Sequence, residues 1–159
     1  MRYCEDDRGK IQYADYARQL VSFEGMKFTG IDGKLNGTPT DVDGLIQLDR
    51  WNCIILFELK HKGGHMPDGQ RIALTRLCDA VQRSGVHCVL FLAEHHADEP
   101  DDIIAKDAII QGYYMQARNE PHCMWHCEKQ GRTLKEMMDR YIEYIKEQDD
   151  EQYGGWVSA

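Results

Sequence analysis

The segment that most limits how this chain can fold is residues 86–93, VHCVLFLA. It is almost continuously apolar and contains β-branched and aromatic residues, a pattern typical of a strand that is covered on both faces. It is also far shorter than the roughly 20 apolar residues that span a bilayer. The segment therefore predicts a central strand of a sheet with a packing layer on each side.

Helical periodicity and turn signals divide the rest of the chain into helices and strands. Apolar residues recur at helical spacing over 11–23 and over 69–83, where Asp68 can cap the first turn. Strand candidates are 26–31, 40–48, 53–60, 86–93, 108–115 and 123–127. The order α-β-β-β-α-β, followed by β-β-α, predicts an α/β fold with a mixed sheet.

Two helices carry clear apolar faces. On 69–83 the apolar residues of one face are Ala73, Leu74, Leu77, Cys78 and Val81, and packing of this face on the sheet should leave Gln70 near Lys60. The last helix begins with Thr133-Leu134-Lys135-Glu136, which has the spacing of a capping box. Its apolar stripe contains Leu134, Met137, Met138, Tyr141, Ile142 and Ile145. We interpret this stripe as core-forming, with a dimer surface as the alternative.

Length, charge and composition limit the class of protein. A chain of 159 residues and 18.4 kDa suits a single domain over 1–159, with a core near 11–94 and a C-terminal extension near 103–148. The start, MRYCEDDRGK, lacks the apolar segment of a signal peptide, so we expect a cytoplasmic protein with reduced cysteines and no membrane association. The net charge of −8 argues against non-specific coating of nucleic acid, which needs many basic residues.

Two strand candidates can be paired by arithmetic. If residues 49–52 form the connecting loop, Leu48 pairs with Cys53 and paired residue numbers sum to 101. Asp43 then lies opposite Glu58, and directly opposed residues of an antiparallel pair share a face. The register therefore predicts two carboxylates close together.

A lysine joins these carboxylates. Lys60 is two residues beyond Glu58, so it lies on the same face, opposite Asp41. Carboxylates suit Mg²⁺, and a cation and a lysine together can stabilise charge on a phosphate. This combination predicts metal-assisted phosphodiester hydrolysis. The alternative is a solvent-exposed ion pair between Glu58 and Lys60, because Glu-x-Lys is a common sequence.

The motif PTDVDG at residues 39–44, the motif FELK at residues 57–60 and the α-β-β-β-α-β order resemble the PD-(D/E)XK nuclease superfamily. The similarity covers roughly residues 13–94. Within it, the sequences PTDVDG and GQRIALTRL are most similar to those of small nuclease-like proteins of phages and prophages. It implies a restriction-endonuclease-like fold in which Asp43, Glu58 and the Leu59 carbonyl bind the metal. It further implies that Lys60 is the catalytic lysine and that Gln70 faces the site.

Two acidic positions stay open. Many members of the superfamily carry an acidic residue on the first helix, and the candidate here is Glu24, in the last turn beside Gly25. Asp41 and Asp43 lie on one face, so the sequence does not decide which binds the metal. The pairing with Glu58 favours Asp43.

The expected function is a nuclease that uses Mg²⁺ or Mn²⁺ and acts on DNA. Lys62, in the loop 61–65, and Arg71 are candidates for contacts with nucleic acid. The alternative is a catalytically inactive phage or mobile-element protein of the same fold that binds a host protein or nucleic acid, and the negative net charge favours it. The sequence leaves a homo-oligomer open.

Histidines and cysteines elsewhere are weaker candidates for metal ligands. Residues 122–127, HCMWHC, alternate between two strand faces and lack the second motif that a zinc site needs, so we interpret them as a half-buried strand. His95 and His96 precede an acidic segment and are interpreted as part of a solvated loop.

Overall fold

The structure is a computed structural model that describes residues 42–98 and 103–154, with side chains up to residue 148, and four short strands before them. The chain divides into two compact units, Met1–Pro39 and Thr40–Ala159. The expectation of a single domain over 1–159 stays a prediction.

The first unit contains two short antiparallel pairs. Strand β1 (Cys4–Glu5) pairs with β2 (Ile11–Gln12), and β3 (Phe28–Thr29) pairs with β4 (Leu35–Gly37). The predicted helix over 11–23 is wrong at its start, because the backbone of Ile11–Gln12 pairs with β1 and not within a helix. The remainder of that helix lies outside the described residues, as do Glu24 and Asp41.

The second unit is built on a five-stranded mixed sheet with two helices. The strand order is β5-β6-β7-β8-β9, in which β6 and β7 are parallel and the other neighbours are antiparallel. The elements are β5 (Gly44–Leu48), β6 (Cys53–His61), α1 (Asp68–Arg83), β7 (His87–His95), β8 (Ile109–Met115), β9 (Met124–Cys127) and α2 (Leu134–Gly154). The α/β class and the mixed sheet are confirmed.

The hairpin of β5 and β6 has the predicted register. Leu48 pairs with Cys53 and Gly44 with Phe57, so paired numbers sum to 101. Strand β5 begins at Gly44, which is later than the predicted residue 40. Gly44 lies against the Phe57 ring so closely that a Cβ atom would come within 1.9 Å of it, so only glycine fits without a shift of the ring.

The sheet separates two apolar layers. On one face α1 buries Leu74 and Cys78 against the strands, and on the other α2 buries its apolar stripe. Strand β7 is the central strand, and its residues Cys88, Val89, Leu90 and Phe91 are at most 1% exposed. The prediction from residues 86–93 is therefore confirmed. Within the described helices, none has the length and apolar character needed to cross a membrane.

Helix α1 differs from its prediction in two details. Its N-cap is Pro67, and Asp68 is the first helical residue, where it pairs with Arg71 at 3.0 Å and does not cap the helix. Leu77 lies at the margin of the stripe formed by Leu74, Cys78 and Val81 and remains 44% exposed. The inner face is thus narrower than predicted.

The capping box of α2 is confirmed. The Thr133 N–H donates to Glu136 Oε2 at 2.8 Å, and the Glu136 N–H donates to Thr133 Oγ1 at 3.2 Å. Of the α2 stripe, Leu134, Met137, Met138, Tyr141 and Ile145 are buried, which confirms that the stripe is core-forming.

Thr133→Ala should lower the free energy of unfolding by about 1 kcal/mol, because the first turn of α2 loses a side-chain acceptor. The Thr133 N–H lowers the pKa of Glu136, so the contribution of this carboxylate is present above its unfolded pKa and is lost as the pH falls through the lower folded pKa. Urea denaturation measures both effects. Thr133→Ser is the control, and a serine variant as unstable as the alanine variant would contradict the capping role.

Candidate functional site

Among the described residues, Glu58 is the one charged residue that is buried as a whole, backbone and side chain together. It belongs to β6, and strand alternation places it with Lys60 on the α1 face of the sheet, two residues after the buried Leu56. Its exposed fraction is 2%. Burial of a carboxylate is costly unless other groups compensate its charge, so the contacts of Glu58 are informative. The prediction of a solvent-exposed ion pair is wrong for this residue.

Two neighbours share one oxygen of Glu58. The Lys60 Nζ atom lies 2.6 Å from Glu58 Oε1, and Gln70 Nε2 donates to the same oxygen at 2.8 Å. Lys60 Nζ also donates to Gln70 Oε1 at 3.2 Å. The prediction that Gln70, on the first turn of α1, lies near Lys60 is confirmed. The three side chains form a closed triangle of polar contacts.

The other oxygen of Glu58, Oε2, differs from Oε1 in its contacts. Glu58 Oε2 is buried and has no hydrogen-bond partner among the described residues. Burial is the largest cause that raises the pKa of Glu58, the contact with Lys60 lowers it, and the nearby charge of Asp43 raises it further. A buried carboxylate oxygen beside a second carboxylate is the environment that a cation would stabilise.

Asp43 lies at the bend that precedes β5. Its Oδ2 atom accepts the Leu59 N–H at 2.7 Å, so the carboxylate takes the place of a ladder carbonyl beside β6. In a strand the N–H and C=O of one residue point to the same neighbour, and the Leu59 carbonyl therefore points to the Asp43 side as well. Asp43, Glu58 and Leu59 meet at the junction of β5 and β6. That their oxygens share one ion stays a prediction.

Glu94 is a neighbour of the site that the sequence analysis missed. It pairs in register with Lys60 across the parallel strands β6 and β7, and it lies on the α1 face, two residues beyond Leu92. Its Oε2 atom accepts the Gly63 N–H at 3.1 Å, and its Oε1 atom lies 2.9 Å from His96 Nε2. The Gly63 N–H is the largest cause that lowers the pKa of Glu94, followed by His96.

The two residues expected to contact nucleic acid lie close along the chain to Lys60 and Gln70. Lys62 is exposed in the loop after β6, and its backbone N–H donates to the His95 carbonyl at 3.0 Å. Arg71 is exposed on the first turn of α1 and is paired with Asp68. Lys62 therefore extends from a loop that is attached to β7, whereas the charge of Arg71 is partly compensated.

The remaining candidates are the histidines and cysteines at residues 95–96 and 122–127. In β9, His126 stacks on Tyr113 and Trp125 packs against Tyr114, so the strand alternates as predicted and is half-buried. His95 is the last residue of β7, so its assignment to a solvated loop is wrong, whereas His96 follows the strand and is exposed, as predicted. In the described ranges, no three His, Cys, Asp or Glu side chains form a group that could hold a metal. A cation at Glu58 would need backbone and water oxygens as well.

Neither a family model, a curated protein nor a solved structure matches this chain.

Proposed function

We propose that this protein is a divalent-metal-dependent nuclease that hydrolyses phosphodiester bonds in DNA. The observation that carries the proposal is Glu58, a carboxylate that is 2% exposed and has one oxygen without a hydrogen-bond partner in the described part of the chain. Most buried polar atoms in folded proteins have a hydrogen-bond partner, so a buried carboxylate oxygen without one calls for an explanation. Burial of this oxygen is unfavourable, because no described group replaces the contacts that it would make with water. A bound cation would compensate for that loss.

The donor set fits a hard cation. Glu58, Asp43 and the Leu59 carbonyl offer oxygen atoms, and Mg²⁺ and Mn²⁺ are held by such oxygens together with several waters. When bound, the cation supplies positive charge next to the scissile phosphate.

Lys60 and Gln70, which form the triangle of polar contacts with Glu58, have different roles in the proposed site. Glu58 holds the Lys60 ammonium group by a contact of 2.6 Å. Because the Lys60 side chain is 21% exposed, it still reaches solvent, where a phosphate would lie. There it can orient a water molecule or stabilise negative charge on the phosphate. Gln70 contacts both Glu58 and Lys60 and thus limits the positions of both.

A non-cleaving protein on this fold is the second candidate. The tight contact between Lys60 and Glu58 favours it, because the ammonium group already compensates part of the charge that a metal would need. The net charge of −8 is also suited to a basic partner, which would be a host protein. This candidate predicts no metal binding at Glu58.

Asp43→Asn should weaken Mn²⁺ binding by about tenfold or more, because it removes a formal negative charge from the donor set. The amide oxygen can still accept the Leu59 N–H, so the bend before β5 should be retained. Calorimetric titration with Mn²⁺ and Mg²⁺-dependent cleavage of plasmid and oligonucleotide DNA measure the effects.

The matched control is Asp49→Asn, which makes the same change at an exposed aspartate in the hairpin loop, where it bonds to Gln47. It should bind Mn²⁺ as the wild type does. Wild-type protein that neither binds Mn²⁺ at millimolar concentration nor cleaves DNA would refute the nuclease and favour the binding protein.

A further inference from the structure

The loop that follows β6 is attached to the end of β7 by two hydrogen bonds. The Lys62 N–H donates to the backbone carbonyl of His95 at 3.0 Å, and the Gly63 N–H donates to the side chain of Glu94 at 3.1 Å. Gly63 has a φ of +73°, a conformation that glycine adopts readily, and the Gly64 N–H closes the turn onto the His61 carbonyl at 2.7 Å. Of these bonds, only the one to Gly63 depends on a side chain.

The position of Glu94 is unexpected for a site that takes an anionic substrate. It is in register with Lys60 on the same face of the sheet, and its pKa is lowered, so it is ionised at neutral pH. A carboxylate beside Lys60 would repel a phosphate that is bound there. Its two oxygens are instead directed to Gly63 and to His96, and the contact with His96 holds the carboxylate in that orientation.

We propose that Glu94 is a positioning residue that holds the loop 61–65 so that Lys62 can contact the phosphates of a nucleic acid. The inference rests on the proposed function, since it concerns the substrate of the same site. Glu94 acts through the loop and does not itself touch the substrate. The favourable effect of the ordered loop exceeds the repulsion between Glu94 and the phosphates.

Removal of the Glu94 carboxylate should change the Kd for nucleic acid. The direction of that change distinguishes positioning of the loop from electrostatic repulsion of the phosphates. If repulsion dominates, Glu94→Ala should tighten the binding of nucleic acid. If positioning dominates, Glu94→Ala should raise the Kd by about fivefold, because the loop that carries Lys62 becomes mobile. Glu94→Gln keeps an amide oxygen for the Gly63 N–H and loses the charge, so its Kd should equal or fall below the wild-type value.

The measurement is fluorescence anisotropy of a labelled DNA oligonucleotide with full-length protein in low-salt buffer containing EDTA, so that no cleavage occurs. Asp107→Asn is the charge-matched control, because Asp107 is exposed beside the same end of the sheet, in a cavity shared with Glu94, and has no bond to the loop. Amide exchange at Gly63, followed by NMR, should accelerate in Glu94→Ala and not in Asp107→Asn.

The proposal is overturned if Glu94→Ala binds DNA as tightly as the wild type or more tightly, if Glu94→Gln is as weak as Glu94→Ala, or if the wild type binds no DNA. A Mn²⁺ titration separates this failure from that of the nuclease. Glu94→Ala should bind Mn²⁺ as the wild type does, because its contacts are to the loop. A wild type that binds DNA and no Mn²⁺ would refute the metal site, and the variants would still decide the role of Glu94.

Discussion

Glu58→Ala should abolish both the binding of Mn²⁺ and the Mg²⁺-dependent cleavage of DNA. It deletes the buried carboxylate from a donor set that otherwise contains Asp43 and the carbonyl of Leu59. Hard cations depend on anionic oxygen ligands, and a site with two carboxylates cannot lose one and keep its affinity. Calorimetry with Mn²⁺ and a cleavage assay on the same preparation measure the two losses.

Glu58→Gln adds a test that separates function from folding. Because the folded pKa of Glu58 is raised above the unfolded one, the stability of the metal-free protein falls as the pH rises from the unfolded pKa through the folded pKa. The glutamine variant resembles the protonated carboxyl, so it should melt at a higher temperature than the wild type at neutral pH, although it binds no metal. Such opposed effects are typical of a residue selected for function.

Glu143→Gln is the matched control, because Glu143 is exposed on α2 and pairs with Lys146. It should change neither Mn²⁺ binding nor cleavage. A Glu58→Gln variant that melts well below the wild type would show that Glu58 stabilises the fold. Unchanged Mn²⁺ affinity in Glu58→Ala would place any metal elsewhere.

Lys60→Ala should separate metal binding from turnover. The Mn²⁺ affinity should stay the same or increase, because the variant removes a positive charge 2.6 Å from Glu58 Oε1. Cleavage should fall by about a hundredfold to a thousandfold in kcat, which is the usual effect of removing one group that stabilises charge in a transition state. Mn²⁺ calorimetry and single-turnover kinetics measure the two quantities.

Lys62→Ala is the control for Lys60, because it removes the same charge two residues later, from an exposed side chain. Its effect should be on KM and on the salt dependence of DNA binding, with kcat nearly unchanged. A Lys60→Ala variant that cleaves as fast as the wild type would refute the proposed role of Lys60 and favour the non-cleaving alternative.

Several features of the fold could be predicted because they depend on neighbouring residues. The loop at 49–52 set the register of β5 and β6, and the spacing of Thr133 and Glu136 indicated the start of α2. Element limits were less accurate. Strand β5 begins at Gly44 and not at residue 40, and the Phe57 ring lies so close to Gly44 that a larger residue there would require the ring to shift.

Part of the site could be predicted in the same way. Strand alternation was enough to place Glu58 and Lys60 on one face, and helical spacing after a short loop was enough to place Gln70 near them. The hydrogen bond from the Leu59 N–H to the Asp43 carboxylate, in place of a backbone carbonyl, was not predictable, because it depends on where β5 begins. A strand that continued to residue 40 would have used backbone groups in place of the Asp43 carboxylate.

The sequence by itself determined the central strand, the hairpin register and the placement of Glu58 beside Lys60, because each is written in the spacing of residues that are close along the chain. Only the tertiary structure decided the parallel pairing of β6 with β7, which sets Glu94 beside Lys60 although 34 residue positions separate them. It also decided the burial of Glu58, because the strand pattern does not specify how closely α1 covers it. Register between parallel strands depends on how the crossover helix packs, and no short-range spacing encodes that packing.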